Sequence, residues 1–208
     1  ITVNNKLVLQ GDKGLSLNTG TLHAKGNITL GNTNTSLGGG TAVIVINGSG
    51  TQILAGTGTA NSGRLCTIQI NKSASDTLKI TGQLTARENW TYIAGIVSAA
   101  PTSTVYFTDT KTISGSHQLA NVAFTGQAAY IYTLSSGTVL GVSGNLSLSG
   151  SNSITINTGT LAVAGNITVT NTSTSTGGTA TVQIDGIGNQ TLTGSGTTGA
   201  GKLPNINI

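Results

Sequence analysis

The chain has 208 residues, of which 7% are charged and 3% aromatic, and its nine Lys and Arg against five Asp and Glu give a formal charge of +4. The basic residues stand singly, all the aromatic residues lie between Trp90 and Tyr132, and Lys111 is the one Lys or Arg between those two. This excludes the clustered basic, aromatic-studded surface that binds nucleic acid, no run approaches the ~20 apolar residues of a membrane helix, and the single Cys66 excludes an internal disulfide.

A chain so poor in charge folds only if a regular backbone pairs its polar groups. From the N-terminus, Leu7 with Leu9, then Leu22, Ala24, Ile28 and Leu30, alternate apolar with polar, which predicts short strands with one face inward. "TAVIVI" from Thr41, "QILAG" from Gln52 and "RLCTIQI" from Arg64 continue the pattern, and Leu78 with Ile80 resumes it. "ENWTY" from Glu88, "STVYF" from Ser103 and "TISGSHQLANVAF" from Thr112 carry the aromatic residues, and Leu161, Val163, Ile167 and Val169 close the series. No stretch holds apolar residues at helical spacing without Gly or β-branched interruptions, so no helix is predicted.

The chain repeats itself. "NTGTLHAKGNITL" from Asn18 returns as "NTGTLAVAGNITV" from Asn157, and residues 1–70 align with 140–208 at an offset of 139, falling to 138 where one Gly of "LGGGTA" is dropped. A finer phrase recurs at Ile1 ("ITVNNKL"), Leu78 ("LKITGQL") and Leu140 ("LGVSGNL"). It divides the sequence into a long module, 1–77, a short aromatic-bearing module, 78–139, and a second long module, 140–208, with no independent domain boundary between them.

Self-similarity without helices predicts an all-β, right-handed parallel β-solenoid, with Asn and Gly at the corners and roughly 20 residues per coil, hence about ten coils. A sandwich of β repeats is the competing architecture. Residue 1 falls inside a repeat and neither end reads as a polar cap, so the expected partners are further repeats of the same chain or a covering partner at both ends.

The phrases "NTGTLAVAGNITVTN", "GTATVQIDGIGNQTLTGSGTTGAGKLPNINI", "ENWTYIAG" and "TKTISGSHQLANVAFTG" resemble the repeats of giant cell-surface proteins of Bacteroidota, the gliding flavobacteria and cytophagas among them. The resemblance covers essentially the whole chain. It implies an extracellular, cell-surface adhesin or filament, exported by the type IX secretion machinery and, in some members, active in gliding. It also suggests surface glycans or the substratum as partners and marks Thr77, in "Asp76-Thr77-Leu78", as a candidate O-glycosylation site.

Chemistry is sparse. The carboxylates are Asp12, Asp76, Glu88, Asp109 and Asp185. Glycoside hydrolysis needs two carboxylates facing one cleft, and Glu88 and Asp109, with Trp90 nearby, are the one place where such a pair could meet a sugar-stacking ring. Together with Tyr130 and Tyr132 they form the candidate glycan contact, although Trp90 aligns with Ile28 as a core position and Tyr130 and Tyr132 also suit inward packing. His23 becomes Ala162 in the second copy and His117 has no paired nucleophile. The Gly-rich "LGGG" and "GTGTANSG" lack the Lys-Ser/Thr and helix of a phosphate cradle and read as corners. Thr168, Thr170, Thr172, Thr174 and Thr176 alternate as an ice-binding rank would, but Thr170 and Thr176 align with Gly31 and Leu37. The expectation is therefore a stalk or filament segment without catalysis, metal or cofactor. A polysaccharide-binding or polysaccharide-cleaving β-helix is the alternative, and an ice-binding solenoid the second.

Overall fold

A computed structural model describes residues 1–35, 38–56, 60–194 and 197–208; Leu37 of the "LGGG" corner and Thr57 to Thr59 of "GTGTANSG" lie outside these. The chain divides into two compact units, Ile1–Tyr106 and Phe107–Ile208. The strands are β1 (Thr2–Val3), β2 (Leu7–Gly11), β3 (Thr21–Ala24), β4 (Ile28–Asn32), β5 (Gly39–Ile46), β6 (Thr51–Gly56), β7 (Arg64–Asn71), β8 (Thr77–Thr81), β9 (Gln83–Ala86), β10 (Trp90–Ala94), β11 (Ile96–Ala99) and β12 (Thr104–Phe107). There follow β13 (Lys111–Ser114), β14 (His117–Leu119), β15 (Asn121–Gly126), β16 (Tyr130–Leu134), β17 (Val139–Val142), β18 (Leu146–Gly150), β19 (Ile154–Asn157), β20 (Thr160–Val163), β21 (Ile167–Val169), β22 (Thr181–Ile184), β23 (Leu192–Thr193) and β24 (Asn205–Asn207).

In the first unit three parallel ladders run from coil to coil. One joins Thr2, His23, Val45, Gln69 and Thr91, in steps of 21, 22, 24 and 22 residues. A second joins Leu7, Ile28, Leu54, Ile80 and Ala99. The third is shorter and joins Ser16, Gly39, Leu65 and Ala86. Three sides per coil explain why β5 and β7 are the longest strands, eight residues each: both turn a corner and serve two ladders, with a register shift between Gly39 and Val43.

The second unit is built the same way. Its ladders join Lys111, Tyr132 and Ile156; His117, Leu140, Leu161, Val182 and Ile206; and Val122, Leu146, Ile167 and Leu192. Every pair among the described residues is parallel, as coil stacking requires, whereas a sandwich is built from antiparallel pairs. The β-solenoid expectation holds and the sandwich does not. Coils longer than 20 residues give about nine turns rather than ten.

The sequence repeat is a structural one at single-residue register. Thr2, His23, Val45 and Gln69 of the first unit correspond to Gly141, Ala162, Gln183 and Asn207 of the second, which form a ladder of their own. Leu7, Ile28 and Leu54 likewise correspond to Leu146, Ile167 and Leu192. Inward residues are aliphatic and fully covered, as at Ile28, Ile44, Leu65, Leu140, Ile156 and Leu161. Burying each stabilises the fold by about 1.5–3 kcal/mol.

Corners impose their own demands. Gly40 and its counterpart Gly178 both have left-handed backbones, φ 86° and 102°. A Cβ at Gly40 would stand 2.4 Å from the Leu17 carbonyl oxygen, and one at Gly178 would stand 2.2 Å from that of Ile156. Thr19 and its counterpart Thr158 adopt the same region at φ 60° and 51°, costly for a β-branched residue. In both copies the amide of that threonine donates to the hydroxyl of a threonine one coil on, Thr41 and Thr179, at 3.3 Å.

Gly178→Ala is therefore expected to lower stability by more than about 1 kcal/mol, because strain and a backbone clash act together. Gly188→Ala, where a Cβ meets nothing within 4 Å, should leave it within about 0.5 kcal/mol. Urea midpoints of the two variants check the contrast.

Candidate functional site

Glu88 lies half-buried at the corner between β9 and β10. Next to it Arg87 donates to the Gly38 carbonyl at 2.8 Å, tying this corner to an earlier coil. Trp90 opens β10, pairs with Ile68 and is 0% exposed, so its ring belongs to the first unit's core and offers no face to a sugar. Burial, aided by the negative charge of Glu88, pushes the Cys66 thiol from its ordinary value of 9.0 up to about 11.

In the second unit the aromatic residues form one internal cluster. Phe107 and Phe124 stack with centroids 5.4 Å apart, Phe124 meets Tyr132 edge-on at 4.8 Å, and Tyr130 meets Tyr132 edge-on at 6.3 Å. Tyr132 is 0% exposed. Its hydroxyl proton is shared between the carbonyls of Phe107 and Thr125, at 3.0 and 2.9 Å, and burial pushes its ionisation far up. Asp109 sits in a turn with φ 74°, its carboxylate accepting the Thr110 amide at 2.8 Å. Left-handed turns suit Asp. The glycan-contact expectation is thus corrected at Trp90 and Tyr132, which are packing residues. Tyr130 is half-buried and shows one ring edge to Tyr132.

The remaining carboxylates and histidines are each in a local structure. Asp12 lies 3.7 Å from Lys13 on the surface. Asp76 accepts the Gly50 amide at 2.7 Å, while the Thr77 amide donates to the Gly50 carbonyl at 3.1 Å. Asp76-Thr77 is therefore a latch onto the preceding coil, and half-buried Thr77 opens β8. The His23 ring meets the Asn47 amide at 3.1 Å, and the His117 ring meets the Gly115 carbonyl at 2.8 Å. Burial lowers the His117 pKa. Among the described residues no group of three or more His, Cys, Asp or Glu could hold a metal ion. Of the alternating threonines, Thr168 lies in β21, which ends at Val169, while Thr170, Thr172, Thr174 and Thr176 follow it exposed, with Asn171 buried between them.

What the structure does assemble is a set of polar braces between coils, several of them present in both copies. Gln52 is 2% exposed, and its amide donates to the Ala24 and Gly26 carbonyls at 3.0 and 2.7 Å. Its oxygen accepts the Gly48 amide at 2.6 Å and the Lys72 ammonium at 2.7 Å, and Lys72 also donates to the Gly48 carbonyl. One glutamine thereby ties together three successive coils. Desolvation lowers the pKa of Lys72. Gln190 repeats the brace: it donates to Val163 and Gly165 at 3.0 and 2.6 Å and accepts from Gly186 at 2.7 Å.

Asparagines do the same at other corners. Asn32 bridges the Lys13 carbonyl at 2.9 Å and the Asn34 amide at 3.0 Å. Its counterpart Asn171 bridges the Gly150 and Asn152 carbonyls and the Ser173 amide. On another corner the side-chain oxygen of Asn121 accepts the Asn145 amide at 2.9 Å. That of Asn145 accepts the Asn166 amide at 3.0 Å, and that of Asn166 accepts the Thr191 amide at 2.9 Å. Asn27 accepts the Ile53 amide at 2.9 Å in the equivalent place. For Gln52, Asn27 and Asn32 the signal was identity between copies amid changing neighbours, "TQIL" against "NQTL"; Asn145 aligns with Lys6 and Asn121 has no second copy, so neither carried that signal.

The fold and this interior define the class: a parallel β-solenoid repeat protein. Compared with protein-family models, with curated proteins and with solved structures, the chain gives no significant match.

Gln52→Ala removes the side-chain partner of the Gly48 amide and the Gly26 carbonyl and one of the partners of the Ala24 carbonyl and of Lys72, and should cost roughly 2–4 kcal/mol. Gln190→Ala, at a half-exposed position where water can substitute, should cost under about 1 kcal/mol. Thermal unfolding of the paired variants measures the difference. Because the folded Cys66 thiol ionises later than the unfolded one, the folded state holds the extra proton. Stability should then fall as pH rises from 9.0 towards about 11. Cys66→Ala should remove that component of the pH profile.

Proposed function

We propose that this region is a structural stalk or filament segment of a secreted, repetitive cell-surface adhesin, without catalysis of its own. One observation carries the reading: the two copies share what joins coil to coil and differ in several charged side chains that face out. The register, the Gln52/Gln190 and Asn32/Asn171 braces and the Gly40/Gly178 corner are common to both. Outward basic residues and histidine are not kept: Lys13 becomes Asn152, His23 becomes Ala162 and Lys25 becomes Ala164. A recognition or catalytic surface requires particular outward side chains; a strut requires the interior. The burial of Trp90 and Tyr132 adds support, since it removes the rings a polysaccharide would stack on. The extracellular location, export by type IX secretion and any role in gliding follow from the resemblance of the repeats to Bacteroidota surface proteins. Further repeats or a covering partner would extend the ladders at either end.

Pulling the whole chain between its ends tests the mechanical role. The strut reading expects abrupt ruptures, each releasing whole coils of about 22 residues, roughly 75 Å of extended chain apiece. Gradual yielding without steps contradicts it. Release of reducing ends from a soluble polysaccharide would move the reading to a carbohydrate-active solenoid.

A further inference from the structure

The sequence contains a single Asn-Gly pair, Asn47-Gly48, in the corner between β5 and β6. In such a pair the following backbone nitrogen attacks the asparagine side-chain carbonyl with least hindrance, because Gly has no Cβ and its backbone turns freely. Glycine cannot be exchanged here: a Cβ on Gly48 would stand 1.9 Å from the Lys25 carbonyl oxygen. The corner therefore requires the residue that makes its neighbour reactive.

Each reacting group is held in place. The nucleophile is the Gly48 nitrogen, and its N–H donates to the Gln52 side-chain oxygen at 2.6 Å. Gln52 is itself fixed, since its amide donates to the Ala24 and Gly26 carbonyls and its oxygen accepts the Lys72 ammonium at 2.7 Å. Lys72, 3% exposed, also donates to the Gly48 carbonyl, so both polar groups of that glycine are engaged. The leaving group is the Asn47 amide nitrogen, 3.1 Å from the His23 ring. The Asn47 amide oxygen, which would gain negative charge during attack, is buried without a hydrogen-bond partner among the described residues. Attack needs the Gly48 nitrogen to release its proton and turn toward that carbonyl, and the bond to Gln52 opposes both.

The second copy shows that the product of this reaction fits the corner. There the pair is Asp185-Gly186, aspartate being what asparagine becomes when its amide is lost. Its surroundings are the same: the Asp185 amide donates to the Val163 carbonyl at 3.1 Å, as that of Asn47 does to Ala24 at 3.2 Å, and the Gly186 amide donates to Gln190 at 2.7 Å. An isoaspartate is different, because its main chain runs through the side chain and is one carbon longer. It would shift the register directly after Ile46, which pairs with Ala24.

We propose that Asn47 is a latent self-modification site, deamidated through a succinimide and kept latent by Gln52. In the first step the Gly48 nitrogen bonds to the Asn47 Cγ, the Cγ–Nδ2 bond breaks, and ammonia leaves with the Gly48 amide proton. In the second, water opens the ring at either carbonyl and leaves aspartate or isoaspartate. The new carboxylate would stand beside the His23 ring and the Lys25 ammonium, which donates to the Asn47 carbonyl at 3.1 Å. Any event that parts Gln52 from Gly48 is thereby recorded as a permanent negative charge. The inference goes beyond the strut reading and does not rest on it.

Peptide mapping by mass spectrometry tests it, following the mass gain of amide to acid at Asn47 in the full chain at mildly alkaline pH. The folded wild type should deamidate at least about a hundredfold more slowly than the same chain in urea. Leu65→Ala supplies the control, because it weakens the same unit through a core cavity at a 0% exposed position without touching the corner. Gln52→Ala should deamidate at least about tenfold faster than Leu65→Ala, since it removes the acceptor that holds the nucleophile. Gln52→Met removes the same acceptor at nearly constant volume and serves if the alanine variant does not fold. Equal rates in the Gln52 and Leu65 variants overturn the inference, because protection would then come from global folding alone. So does a folded wild type that deamidates as fast as the unfolded chain.

Discussion

Coil-to-coil parallel pairing is the constraint on which everything else depends. A short strand of four or five residues has no stability alone, and a chain with 7% charged residues cannot hide unpaired backbone behind a charged surface. Each strand here gains its hydrogen bonds from the strand one coil before and the strand one coil after. The corners then become the difficult places, because there the backbone leaves the ladder and its polar groups lose their strand partners. Gln52, Asn32 and the Asn121–Asn145–Asn166 run are the answers: amide side chains, carrying both donor and acceptor, extend the backbone ladder across the turn.

That division between ladder and corner explains the composition. Aliphatic residues fill the interior, Gly serves where a neighbouring carbonyl leaves no room for a Cβ, and Asn and Gln bond coil to coil. The scattered carboxylates fit this, since Asp76 latches one coil to another and Asp109 shapes a turn. A repeating interior of this kind is what the proposed strut requires.

Much of this was legible in the residues. The alternation of Leu22, Ala24, Ile28 and Leu30 gave two sides of the coil, and the 139-residue echo identified a solenoid. The third side, Ser16–Gly39–Leu65, escaped notice because each coil contributes only a residue or two to it, too few to alternate. The braces escaped for a different reason. Gln52 lies in phase with Leu54, so period-two reading already points it inward, yet a glutamine among threonines looks like surface. The burial of Trp90 follows its alignment with core Ile28, whereas Tyr132 lies in the module without a second copy, where no aligned residue pointed its ring inward. Glu88 and Asp109 drew attention only by the scarcity of other charges.

Residue-resolved amide hydrogen exchange at high dilution tests the stacked-ladder account most directly. Strands β6 and β23 are counterparts in sequence and register, but β6 is paired along both edges and β23 along one. The account predicts that Leu54 exchanges only with global unfolding, and that Leu192 exchanges at least about a hundredfold faster. Equal protection at the two positions, or rapid exchange throughout β5 to β7, would contradict it.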